Sequence, residues 1–107
     1  MKIKQTYGSY QLHRTGTLSN ISIDEVTNAL GFSPATFAPN YGDGKVMVQW
    51  QFEAILASDI PMAGSRKFPC AIWDYNGSLA IKELSVWMTD EVGKNLFGEK
   101  YSNEGRY

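Results

Sequence analysis

KVMVQWQFEA, residues 45–54, decides the fold. Val46, Val48, Trp50 and Phe52 fall on one side of this stretch, and Met47, Gln49, Gln51 and Glu53 on the other. A period of two is that of a strand with one dry and one wet face. Trp50 and Phe52 therefore read as core. The opposite side carries no basic residue, which argues against bases stacking on it as they do on sheet-surface nucleic-acid binders.

Two further strands are expected downstream. CAIWDYNGS, residues 70–78, places Trp73 and Tyr75 on one face and Asp74 on the other, and ends at Asn76-Gly77, a hairpin turn dipeptide. Residues 81–88 alternate Leu84, Val86 and Met88 against Glu83, Ser85 and Trp87, so Trp87 points outward. Between the first two strands lie residues 57–69, ASDIPMAGSRKFP, with Pro61, Gly64 and Pro69; the spacing reads as an irregular loop, long for a hairpin. Pro34, Pro39 and the Asn40, Gly42, Asp43, Gly44 cluster mark residues 32–44 as another loop.

Helix signals bracket these strands. Ser22 and Glu25 form a capping box, Ile21 and Val26 a hydrophobic staple, and Ile23, Val26 and Leu30 one apolar face before Gly31. Thr89 caps a second helix with Asp90 and Glu91 in its first turn, Val92 and Leu96 on one face and Gly98 at its end. Gly93 inside it costs roughly 1 kcal/mol relative to Ala. Residues 1–20 fit one short strand, two, or an extended arm, and residues 102–107 read as a frayed tail from which Tyr101 can still dock. The expectation is a single α+β domain over 1–107: a three- to four-stranded antiparallel sheet with two short helices on one face.

The composition suits that size. The chain has 107 residues, 43% apolar and 20% charged, enough for one core and too short for two. Formal net charge is −1, so bulk duplex DNA is not implied as a partner. Charge is uneven: before Asp24 stand Lys2, Lys4 and Arg14 with no acid, about +3, which leaves −4 for the remainder. A Lys-studded edge strand is the favoured reading of that segment, and a basic arm that meets nucleic acid or an acidic protein is the alternative. Cys70 is the one cysteine, so no disulfide forms within the chain, which fits a reducing, cytosolic setting. MKIKQTYGSY lacks a signal-peptide apolar run and no window approaches the ~20 apolar residues of a membrane span, so a soluble intracellular protein is expected.

Several of these segments taken together, IDEVTNALGF (23–32), Lys45-Val46 leading to Trp50 and Phe52, CAIWDY-N-GS (70–78) and Leu96-Phe97-Gly98, resemble a group of small, largely uncharacterised proteins of phages and mobile elements. The resemblance covers about residues 21–101, and CAIWDY-N-GS is its most specific part. Relatives join the two aromatic strands by a short turn, and this chain departs from them at 57–69. The resemblance implies a viral setting, a small accessory role and no transferable catalytic residue.

Candidate chemistry is sparse. His13, the one histidine, has no spacing that pairs it with Cys70 as a nucleophile, and Cys70 at a strand start reads as a small buried hydrophobe. Gly42-Asp43-Gly44-Lys45 lacks the spacing of a phosphate loop. Asp43, Asp59, Asp74 and Glu83 show no metal-binding spacing. Asp74 reads either as a general base or an anchor for a ligand amine or, preferably, as a carboxylate that caps the Asn76-Gly77 turn or pairs with a neighbouring Lys on the wet face. No catalytic set, metal or cofactor is expected. The expected function is a non-enzymatic, phage-encoded binding protein that inhibits or modulates a host protein complex, such as a defence system, in the host cytoplasm. Its candidate contact residues are Trp87, Asp74 and Glu83, with Arg66 and Lys67 of the 57–69 loop. The alternative is a module that binds a nucleotide, another small ligand or nucleic acid.

Overall fold

A computed structural model describes residues 1–7, 13–37, 46–57 and 64–104. Its elements run β1 (Lys2–Gln5), β2 (Gly16–Ser19), α1 (Ile23–Leu30), β3 (Ala35–Thr36), β4 (Val48–Ala57), β5 (Ser65–Trp73), β6 (Glu83–Trp87), α2 (Asp90–Phe97) and β7 (Tyr101–Asn103). The fold is α+β, with seven strands among the described residues, all paired antiparallel in the order β1-β4-β5-β6-β2-β7. β3 joins the same side of β4 as β1, opposite Gln49 and Val48, while β1 lies opposite residues 52–55.

The sheet is larger than the three or four strands expected. The additional strands are two to four residues long, too short to show a period. β2 is drawn in between β6 and β7, partners more than 60 residues away in sequence. Residues 1–20 thus hold two strands at opposite parts of the sheet, and Ser102 and Asn103 belong to β7 rather than to a frayed tail.

Boundaries of the central strands also move. β4 starts at Val48 and continues to Ala57 because Ala54 and Leu56 extend the buried series. β5 begins at Ser65, inside the expected loop, and stops at Trp73. Pro69 sits opposite Glu53 of β4, and β6 pairs only with residues 71–73 of β5, so the proline's missing N–H falls on an unpaired edge. Asn76 and Gly77 do form a tight turn, with φ of 54° and 82° and the Ser78 N–H donating to the Tyr75 carbonyl at 3.2 Å. A 3₁₀ turn over Ser78–Ile81 follows, so the connection is longer than a two-residue hairpin and β6 starts at Glu83. The expected turn at 40–44, together with Asp43, Lys45, Asp59, residues 58–63 and 105–107, lies outside the described residues.

Both helices stand where their caps predict. Ser22 Oγ accepts the Glu25 N–H at 3.2 Å, and Gly31, at φ 86°, closes α1 through its N–H to the Thr27 carbonyl. Thr89 Oγ1 accepts the Val92 N–H at 3.3 Å. Ile21 and Val26, the staple pair, are both buried. Val26 and Leu30 of α1 and Val92 of α2 join one apolar cluster with Trp50, Phe52, Cys70, Ile72, Leu84 and Val86. The register places Trp50 opposite Ile72 and Phe52 opposite Cys70, so both helices cover one face of the sheet, and Trp50 and Phe52 are fully buried there.

The C-terminal segment is clamped onto this frame. Tyr101 Oη donates to Asp90 Oδ1 at 2.6 Å and Asn103 Nδ2 to the same oxygen at 2.7 Å. Lys100 pairs with Glu25 and donates to the Asn20 carbonyl at 2.9 Å, and Arg14 pairs with Glu104. A Cβ on Gly93 would stand 2.5 Å from the Tyr101 ring, so the glycine inside α2 is what lets that ring lie against the helix.

A candidate binding face on the sheet

The face turned away from the helices carries the remaining residues of each strand. Cross-strand partners share a face, which gives four rows. Lys2, Ile55 and Lys67 form the first, and Lys4, Glu53 and Pro69 the second. Gln51, Ala71 and Trp87 form the third, and Gln49, Trp73, Ser85 and Thr17 the fourth. Burial grades across these rows. Ala71, Trp73 and Ser85 are buried, Gln49, Gln51, Glu53, Ile55 and Trp87 are half-buried, and Lys2, Lys4, Lys67 and Pro69 are exposed.

Trp87 is held in place from two sides. Ala71 lies opposite it on β5, and the His13 ring stands 6.5 Å away, tilted by 54°. The path of β2 brings His13 there: the Thr15 N–H donates to the Val86 carbonyl at 2.9 Å, and Thr15 Oγ1 accepts from the Met88 N–H and donates to the Met88 carbonyl, both at 3.0 Å. The outward Trp87 of the sequence reading is thus on the helix-free face, but packed beside an imidazole rather than isolated among polar groups.

The other expected contact residues divide three ways. Lys67 and Glu83 share the face with Trp87, at opposite ends of it. Each stands four residues along the strand from the Ala71–Trp87 row, about 13 Å. Arg66 points to the helix side, because it faces the buried Leu56. Its guanidinium forks onto the Glu91 carboxylate at 3.1 and 3.2 Å and reaches the Ala57 carbonyl at 3.4 Å, tying α2 to the end of the β4–β5 pair. Arg66 and Lys67 are sequence neighbours in the expected loop, yet strand alternation sends them to opposite faces.

Asp74 is 1% exposed. Its Oδ1 accepts the N–H groups of Met47 and Val48, both at 2.8 Å, while its own N–H donates to the Val48 carbonyl at 3.4 Å. Among the described residues it neither caps the Asn76-Gly77 turn nor pairs with a lysine on the wet face. It closes the start of β4, and this fixes where that strand begins. The carboxylate is inside the protein and spent on backbone donors, so Asp74 shapes the fold beneath the face rather than the face itself.

Cys70 is fully buried on the helix side opposite Phe52, and burial pushes its thiol up to about 12, which keeps it protonated at neutral pH. His13 lies on the other face beside Trp87. Among the described residues no three His, Cys, Asp or Glu side chains gather to hold a metal ion, and no helix is long and apolar enough to cross a membrane. Lys2, Lys4, His13, Gln49 and Gln51 also lie on or beside this face, although the sequence did not mark them as contact residues. The Lys2/Lys4 spacing of two was the signal that both would share a face once β1 formed. No family model, curated protein or solved structure matches this chain.

Proposed function

We propose that this is a non-enzymatic binding protein of a phage or mobile element, which inhibits or modulates a host protein complex, such as a defence system, by occupying part of its surface in the host cytoplasm. One observation carries the reading. Trp87 is half-buried on the helix-free face, held between Ala71 and His13, with half-buried Gln51 in the same row. A large amphipathic ring already fixed in the free protein loses little conformational freedom on binding, which is what interface anchors share. The strands beneath it are paired on both sides, so the ring is presented by a rigid platform. The viral setting rests on the resemblance of CAIWDY-N-GS and LFG to phage proteins.

Tagged protein incubated with host lysate tests this. Wild type recovers a stoichiometric partner, and Trp87→Ala, with its melting temperature within a few degrees of wild type, recovers at most a tenth as much. Equal recovery by the variant, or no stoichiometric partner, overturns the proposal.

A further inference from the structure

The helix-free face is chemically graded along its length. Its first two rows hold three exposed lysines. Lys2 and Lys4 are about 7 Å apart along β1, and Lys2 and Lys67 about 10 Å apart across two strand spacings. Glu53 is the one acid in these two rows, so the patch carries about +2 within a chain whose formal net charge is −1. The third row holds Gln51, Ala71 and Trp87, with His13 beside the indole, and the fourth holds Gln49. Cations, then side-chain amides, then a pair of aromatic rings tilted against each other therefore follow one another on a single surface.

We infer that this face binds single-stranded nucleic acid, with Lys2, Lys4 and Lys67 on its phosphates and Trp87 beneath its bases. The inference rests on reading the Trp87 face as a binding surface and names the chemistry met there. Single strands need a local positive patch for the backbone beside a ring on which a base can lie, and they need little sequence-specific readout. The glutamine amides, each donor and acceptor, face the same side and suit base edges. A duplex keeps its bases stacked inward and makes no use of Trp87. An acidic protein would satisfy the lysines alone. The acid-free N-terminal segment acquires a role here: β1, an edge strand, lays exposed Lys2 and Lys4 beside the rest of the patch.

Fluorescence anisotropy of a fluorescein-labelled oligo(dT) of about 20 nucleotides, titrated with the whole protein, tests this. Binding is expected, weakening steeply between about 50 and 200 mM salt. The triple variant Lys2→Gln, Lys4→Gln, Lys67→Gln lowers affinity at least about tenfold and reduces the slope of log K against log salt by about 2, at roughly 0.7 per phosphate contact. Trp87→Ala lowers affinity about tenfold and leaves that slope unchanged, because it removes stacking rather than charge. The melting temperature of each variant checks that the fold is intact. No binding at the lower salt, equal binding by the triple variant, or equal competition by duplex DNA or poly-glutamate overturns the inference. If oligo(dT) fails to bind while Trp87→Ala still abolishes recovery of a host partner, the nucleic-acid inference falls and the protein-binding proposal stands.

Discussion

The two faces of one sheet have opposite burdens. On the helix side of β4, Val48, Trp50, Phe52, Ala54 and Leu56 are all buried, whereas on the other side Gln49, Gln51, Glu53 and Ile55 are only half so. The residues are interleaved one by one along the same ten-residue strand. Alternation therefore separates the packed face from the proposed binding face at the spacing of a single residue. Arg66 and Lys67 show how sharp the division is: the first is bonded into the helix side, and the second is exposed on the opposite face, in the outer lysine patch.

Substitutions on the helix side should break the fold first. Trp50→Ala is expected to cost about 3–5 kcal/mol, the usual range for emptying a large aromatic site in a core. Trp50 Nε1 is buried without a hydrogen-bond partner among the described residues, so Trp50→Phe removes no polar contact and should cost markedly less; urea unfolding of the two variants reads the difference. Asp74→Ala orphans the N–H groups of Met47 and Val48 and should cost about 3 kcal/mol, with Asp74→Asn milder because it keeps an acceptor oxygen. Gly93→Ala drives a methyl into the Tyr101 ring. It should destabilise by about 1–3 kcal/mol, although Ala is worth roughly 1 kcal/mol more than Gly in an open helix interior.

The smallest expected effect is acid sensitivity at the C-terminal clamp. Tyr101 and Asn103 hold Asp90 below the usual carboxylate range, and the Lys100 ammonium does the same for Glu25. A carboxylate with a lowered folded-state pKa adds stability that is present above its unfolded value, about 4, and is lost as pH falls through the folded value. Melting temperature should therefore drop below about pH 4. Tyr101→Phe, which removes one donor to Asp90, should make that drop shallower.

Much of the helix side was legible in the sequence because its signals are local. The Ser22–Glu25 capping box spans four residues, and Val48 to Leu56 repeats one chemical choice at every second position. The rest depends on partners far along the chain. Asp74 meets backbone groups 26 and 27 residues away, and Leu18 is matched to both Leu84 and Tyr101. Gly93 reads locally as a defect, and its reason is a ring eight positions later. Pro69 suggests a loop because its edge position is decided by where β6 ends. On the outer face, Trp87 could be read from its own strand. The lysine patch could not, since it needs β1 and β5 on either side of β4.

The three tryptophans offer the most direct test, because they sit on the two faces: Trp50 under the helices, Trp73 and Trp87 opposite. In ¹⁵N-labelled protein titrated with oligo(dT), the indole resonance of Trp87 should move progressively while that of Trp50 stays in place. A Trp87 resonance that does not respond, or a Trp50 resonance that moves instead, would contradict the assignment of single-stranded nucleic acid to the helix-free face.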